Sequence, residues 1–263
     1  MDNFFSIITV VLNAKEDLAN TIQSLKKQSF KNFEYIVIDG NSTDGSKELI
    51  ETNKDFISKY LIENDNGIYD AMNKGLKISK GKYVGFINAG DKYTPNALNI
   101  IHKYLKSNND VDFIFGTVKK KILKHGFKKN RIFWNFDFYT SHSSGFFINS
   151  ESQRKLGFYN TEYKISADYD LFYRMIVKEK MKGISTLKDE LIGIFKSGTS
   201  YSSKFTFIEH LFEETTIRKK NGQNVIIIFL VFLIQFFKNI QKIKNENNFR
   251  LIGKGINLIF RKN

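Results

Sequence analysis

Ser6-Ile7-Ile8-Thr9-Val10-Val11-Leu12 is an unbroken, largely β-branched and apolar run. It lacks the in–out alternation of a half-exposed strand, which is what a strand covered on both faces requires. Downstream, Glu16 to Lys27 places Leu18, Ile22 and Leu25 on one helical stripe, and Phe33-Glu34-Tyr35-Ile36-Val37-Ile38-Asp39 is a second buried strand. Gly40-Asn41-Ser42-Thr43-Asp44-Gly45 breaks the chain and offers capping side chains to a helix over Lys47–Ile50. The alternation continues with a strand at Tyr60–Glu63, a helix over Ile68–Ser79, a strand at Tyr83–Asn88, a helix from Pro95 to Lys106 and a strand at Asp112–Thr117. Strand and helix in turn predict right-handed crossovers on a mixed, mainly parallel sheet flanked by helices, an α/β fold. Ligands of such sheets bind beyond the carboxyl ends of the strands. The residues that punctuate those ends are Thr9 to Asn13, Asp39, Asp65 and Asn88 to Asp91.

The 263 residues, 41% hydrophobic and 26% charged, suffice for a sizeable core and fit neither a disordered chain nor a polytopic membrane protein. With no cysteine there is no disulfide framework, thiolate metal site or cysteine nucleophile. The opening Met1-Asp2-Asn3-Phe4-Phe5 has no basic segment of the secretory kind, so a cytosolic chain is expected. The net charge of +14 is concentrated in two places. Lys119–Arg131 holds seven Lys/Arg and no acid, and Arg218–Asn263 holds ten Lys/Arg and one acid. The first reads as a surface loop or edge hairpin and the second as a basic tail; both suit an anionic membrane face or nucleic acid, or are simply solvated lysine-rich surface.

Asp39 ends a buried strand, where a carboxylate accepts hydrogen bonds from a base N–H or a ribose hydroxyl, or caps the next helix. A nicotinamide-binding fold would also carry an acid here, but it needs a glycine-rich turn after the first strand, and Leu12-Asn13-Ala14-Lys15-Glu16 has no glycine. In Asn88-Ala89-Gly90-Asp91, a lone strand-end carboxylate holds a divalent ion when phosphates and water complete the oxygen shell, or it marks only a turn. Asp168 opens a predicted helix over Asp168–Lys178, whose N-terminus favours the ionised carboxylate and leaves it able to take a proton. Asp170 and Arg174, four residues apart, read as a structural ion pair, whereas Asp168 has no such partner in the sequence. His142 is a candidate contact to substrate or metal, or a structural histidine. Trp134 and its aromatic neighbours line either core or acceptor cleft.

Five blocks in order carry a resemblance: Ser6–Ala14, Asp39-Gly40-Asn41-Ser42-Thr43-Asp44-Gly45-Ser46, Asp65-Asn66-Gly67-Ile68-Tyr69-Asp70-Ala71-Met72-Asn73-Lys74-Gly75, Gly81–Asp91 and Ser166-Ala167-Asp168-Tyr169-Asp170-Leu171. Together they resemble the family 2 glycosyltransferases with the GT-A (Rossmann-like) fold, over roughly residues 4 to 200. The resemblance implies sugar transfer from a nucleoside-diphosphate sugar, UDP-sugar above others, with inversion at the anomeric carbon. It places Thr9, Val10, Asn13, Asp39, Asp65, Asn88 and Gly90 at the donor. It gives Asp91 the divalent ion, Mn²⁺ or Mg²⁺, and Asp168 the role of base; His142, outside the five blocks, is kept as an acceptor-side candidate. Many relatives carry an acid where this chain has Gly90, and another where it has Ala167.

The chain then divides into a transferase domain over 1–200 and a helical segment over 201–263. Within the latter, Val225–Phe237 has twelve apolar residues in thirteen. As a helix it reaches about 20 Å, short of the ~30 Å hydrocarbon core, and so reads as a segment lying in an anionic bilayer surface, or else as a buried helix or dimer contact. The expected acceptor is a saccharide, lipid-linked in surface-polysaccharide synthesis, reached at the cytosolic membrane face. The competing readings are a sugar nucleotidyltransferase, whose glycine- and basic-rich triphosphate loop is missing, a basic nucleic-acid-binding protein, and a catalytically inert nucleotide-sugar-binding relative.

Overall fold

The computed structural model describes residues 3–128, 130, 133, 143–196 and 205–245. Its first half runs β1 (Phe5–Val11), α1 (Lys15–Lys26), β2 (Phe33–Asp39), α2 (Ser46–Thr52), β3 (Lys59–Ile62), α3 (Ile68–Ile78), β4 (Tyr83–Phe86), β5 (Lys92–Tyr93) and α4 (Ala97–Ser107). There follow β6 (Phe113–Phe115), β7 (Thr117–Lys119), β8 (Leu123–Lys124), β9 (Phe146–Asn149), α5 (Ser150–Leu156) and α6 (Ala167–Tyr173). The last described elements are β10 (Gly183–Ser185), β11 (Leu191–Ile194), α7 (Phe207–Lys220), α8 (Val225–Lys238) and α9 (Ile240–Asn245).

The main sheet has the order β10-β6-β9-β4-β1-β2-β3 and is parallel except for β9, which runs antiparallel to both its neighbours. The β1 run is apolar throughout because both of its faces are covered. Ile8 and Val10 join Ile36 and Ile38 in one core with Met72 and Leu76 of α3 and Phe172 of α6. Ile7 and Val11 join Tyr35 and Val37 in the other, with Leu18, Ile22 and Leu25 of α1 and Ile101 of α4. A smaller sheet, β5-β11-β7-β8, stands beside the main one. The start of the basic Lys119–Arg131 stretch is an edge hairpin of that sheet, β7 pairing antiparallel with β8.

Gly81 shows why the Gly81–Asp91 block begins with glycine. A Cβ there would stand 2.4 Å from the Ser6 nitrogen and 2.5 Å from the Phe5 carbonyl carbon, both backbone atoms of β1. Gly81→Ala is therefore expected to destabilise by about 1–3 kcal/mol, the usual cost of overpacking, as read from a denaturant melt.

The Asp170–Arg174 pair forms as its spacing predicts, with Nε 2.9 Å from Oδ2. α7 is bound to the α/β body. Its Ile217 lies in the core shared with α6, and Glu213 accepts the N–H groups of Lys164, Ile165 and Ser166 at 3.0, 2.7 and 2.6 Å. α7 and α8 close over a third apolar cluster of Ile208, Leu211, Ile228, Phe232 and Ile243. Among the described residues no helix is long and apolar enough to cross a membrane.

Candidate active site

The strand order reverses between β1 and β4, since β2 and β3 add on one side of β1 and β4 on the other. This is the switch point at which open α/β sheets bind ligands. A cavity of about 250 Å³ opens there, lined by the end of β1 (Val10, Val11, Leu12), by Asn88, Ala89 and Asp91 beyond β4, by Asp65, Gly67 and Ile68 ahead of and in the first turn of α3, and by Phe195 and Lys196 after β11.

The loop after β2 is held by its own polar groups. Asp39 is fully buried, and its Oδ1 accepts the Ser42 N–H at 2.6 Å. Its Oδ2 is buried with no hydrogen-bond partner. Asn13, at φ 50°, accepts the Thr43 N–H on its side-chain oxygen at 2.8 Å and donates its own N–H to Ser42 Oγ at 2.8 Å. Asn13 thus fastens the β1 turn to the Asp39 loop. Thr9 is fully buried, donating to the Ile87 carbonyl at 2.8 Å and accepting from Tyr35 Oη at 3.1 Å, so it braces β1 against β4 and β2. Thr9, Asn13, Asp39 and Gly90 do not line the cavity, whereas Val10, Asp65, Asn88 and Asp91 do. Asp65 caps the Gly67 N–H at 2.9 Å, and its carboxylate lies directly against Gly40.

Asp91 is 2% exposed and accepts the Lys196 N–H on Oδ1 at 3.0 Å. Burial pushes its carboxyl up to about 7, opposed by the Lys196 N–H and the Lys120 charge and aided by Asp17. The Asn88–Asp91 turn is pinned by Thr21 of α1, whose hydroxyl accepts the Gly90 N–H at 3.0 Å and bonds the Asp91 carbonyl at 2.9 Å. Gly90 sits at φ 97°, and a Cβ there would meet Lys196 Cδ at 3.0 Å and the Asp17 carboxyl at 3.2 Å. The space beside Gly90 is therefore taken by an acid from α1, and Asp17 is bridged to Lys196 Nζ at 2.5 Å. Lys120, from the basic hairpin, stacks its ammonium 4.3 Å from the Phe195 ring. Asp17, Lys120 and Lys196 enter the site through long-range contacts; Phe195-Lys196, just past a short apolar run, was the one trace in the sequence.

Asp168 stands in the first turn of α6 and is partly buried. The partner that its sequence neighbourhood did not reveal is Tyr69 of α3, whose hydroxyl bonds Asp168 Oδ1 at 3.2 Å and the Ile165 carbonyl at 2.8 Å. The same Oδ1 accepts the Tyr169 N–H at 2.9 Å. Asp168 does not line the Asp91 cavity. Nor does it line the adjoining space of about 210 Å³ bounded by Gly67, Ile68, Tyr69, Thr161 and Tyr163; it is joined to the first turn of α3 through the Tyr69 hydroxyl. Ala167 is fully buried in the core, so an acid at that position would have no water. His142, Trp134, Phe136, Phe138 and Tyr139 lie outside the described residues.

A mainly parallel α/β sheet with a switch-point cavity, one buried acid after β4 and a second acid joined to α3, is the arrangement that the GT-A resemblance implies. The sequence pattern of glycosyl transferase family 2 matches residues 6–172, and the chain belongs to that family. It is 26% identical over 178 residues to the PGL/p-HBAD biosynthesis glycosyltransferase of Mycobacterium bovis, covering 65% of this chain and 68% of that one. It is 36% identical over 111 residues to an uncharacterized glycosyltransferase of Rickettsia bellii, covering 42% of this chain and 16% of the other. Among solved structures, S. aureus TarS in complex with UDP-GlcNAc superposes with a TM-score of 0.70 at 16% identity, over 97% of this chain and 81% of that one. The mannosyltransferase PcManGT of Pyrobaculum calidifontis, in complex with GDP-Man and Mn²⁺, gives 0.65 at 17% identity, over 88% and 68%.

Proposed function

We propose that this glycosyltransferase moves a sugar with inversion from a UDP-sugar to a hydroxyl of a lipid-linked saccharide, at the cytosolic face of the membrane and with a divalent cation. The observation that carries the reading is Asp91, a carboxylate buried in the switch-point cavity, where burial makes its charge costly unless a cation sits beside it.

The donor set fits a hard cation. Asp91, with Asp17 near it, offers oxygen only, and among the described residues no group of three or more His, Cys, Asp or Glu gathers to form an all-protein cage. Mg²⁺ and Mn²⁺ suit such one- or two-carboxylate sites when substrate phosphates complete the shell. When bound, the cation would offset charge on the departing diphosphate. Lys196 and Lys120 stand at the same end of the cavity and extend that positive field. Asp65 lines the cavity and lies against the Gly40 end of the Asp39 loop, so its carboxylate is placed to meet the nucleoside, while Asp39 is fully buried behind it. Asp168 takes the acceptor's hydroxyl proton as the hydroxyl oxygen attacks the anomeric carbon. The bond from that carbon to the diphosphate oxygen breaks in the same displacement, and the nucleoside diphosphate leaves with the electron pair. No covalent enzyme intermediate is required. TarS, crystallised with UDP-GlcNAc, supports a uridine donor, and PcManGT, crystallised with Mn²⁺, supports the cation.

Calorimetric titration with UDP and with GDP, each with Mn²⁺ and with EDTA, tests the donor half. UDP is expected to bind with Mn²⁺ and at least about tenfold more weakly without it. Failure of both nucleotides to bind under every condition would remove the transferase reading.

A further inference from the structure

We infer that the outer face of α8 is a docking surface for an anionic lipid membrane. The helix is apolar all round, yet only one side of it is packed. Ile228, Val231, Phe232 and Gln235 are buried, Ile228 and Phe232 in the cluster shared with α7 and α9. On the other side Ile226, Leu230, Ile234 and Phe237 are 70%, 46%, 58% and 63% exposed. Their spacing of four, four and three residues keeps them in one stripe along the helix. Exposed side chains of this size at four successive turns form a patch of the kind that marks an interaction site.

Charge and length choose the occupant. From Thr215 to Asn245 the chain has six Lys/Arg and no acid. Lys238, Lys242 and Lys244 are all exposed at the end of the stripe. A second copy packed parallel on this face would set the lysines of both copies side by side, where like charges repel, and one packed antiparallel would give them no partner from the same stretch, since Thr215–Asn245 carries no acid. An anionic bilayer instead meets the stripe with acyl chains and the lysines with headgroups. At 14 residues α8 spans about 21 Å, too short to cross the hydrocarbon core, so it lies in the interface plane. The surface gives the lipid-linked acceptor proposed above its physical basis. It stands apart from the donor site, because none of the α8 residues lines the Asp91 cavity.

The test is sedimentation of the full chain with vesicles of phosphatidylcholine mixed with phosphatidylglycerol, and with vesicles of phosphatidylcholine alone. The wild-type chain should pellet with the anionic vesicles and at least about tenfold less with the neutral ones, and the difference should shrink in high salt. The fourfold variant I226S/L230S/I234S/F237S should lose the binding. The variant K238Q/K242Q/K244Q should keep only the weak neutral component. Both variants should retain the Mn²⁺-dependent UDP melting shift of the wild type, which verifies folding and reads the donor site independently. A wild-type chain left in the supernatant, or a fourfold variant that pellets as the wild type does, overturns the proposal. So does light scattering that shows a dimer dissolved by the fourfold variant, which would assign the face to a second copy. If removal of residues 246–263 alone abolishes binding while the fourfold variant retains it, the anchor is the tail and the α8 assignment is wrong.

Discussion

Asp168→Asn is expected to lower kcat by about 10²–10⁴, the usual contribution of a positioned general base, while leaving the KM for the sugar nucleotide and the UDP melting shift unchanged. The amide oxygen can still accept from the Tyr69 hydroxyl and the Tyr169 N–H, which both reach Oδ1, so the local fold survives. What is lost is the capacity to take a proton. Tyr69→Phe separates proton acceptance from positioning. It removes one bond to Asp168 and one to the Ile165 carbonyl, and should cost about tenfold in kcat. It should also raise the acidic limb of the kcat–pH profile, because a hydrogen bond to the carboxylate favours its charged form. A near-normal turnover by Asp168→Asn, with acceptor present, would end its assignment as the base. An unchanged pH profile in Tyr69→Phe would leave the tyrosine a purely structural role.

Asp91→Asn carries the second large effect, and it acts in opposite directions on catalysis and on stability. Transfer should fall at least about hundredfold, since the cation contributes several kcal/mol of charge stabilisation at the leaving group. The difference in UDP affinity between Mn²⁺ and EDTA should vanish. Stability moves the other way. The folded carboxyl is raised from the usual aspartate range to about 7 by burial. The folded chain thus holds a proton that the unfolded chain gives up, and stability falls as pH rises from about 4 to about 7. The stabilisation is complete below the unfolded pKa and is lost once the folded pKa is passed. At pH 8 in EDTA the amide avoids the buried charge. The gap in pKa caps the gain at about 4 kcal/mol, and even a quarter of that is about 2–4 °C in Tm for a chain this size. In the wild type, proton and cation compete for one carboxylate, so Mn²⁺-dependent UDP binding should weaken by up to about tenfold per pH unit below 7. A wild-type affinity flat from pH 8 to pH 5.5, or an Asp91→Asn chain that still responds to Mn²⁺, would place the cation elsewhere.

The α/β fold was legible because its signals are local. β1 and β2 are continuous apolar runs for the reason found in the structure, burial on both faces, and the stripe of Leu18, Ile22 and Leu25 faces the core it implies. Asp91 was legible because it follows a readable strand. The second sheet was not. β5 and β8 are two residues each and β7 three, too short for any periodicity. β5 and β11 pair across about a hundred residues of chain, through Tyr93 and Gly193. Several assigned donor contacts have another use in the structure. Thr9 and Asn13 carry polar side chains at a strand end, as donor-binding residues do, but their hydrogen bonds go to Ile87 and to the Asp39 loop.

The order of the residues along the chain, read alone, settled the α/β fold, where its strands end and which acids stand at those ends, because hydrophobic periodicity reports which way each residue turns within its own element. Folding in three dimensions decided which of those acids meet and what surrounds them. Tyr69 reaches Asp168 across ninety-nine residues. Asp17 fills the space beside Gly90, and Lys196 is brought from the far end of β11 to Asp91. One side of α8 is left uncovered although its sequence is apolar on every side. Contacts of this kind depend on strand order and on packing between distant elements, and periodicity within a segment carries no information about either.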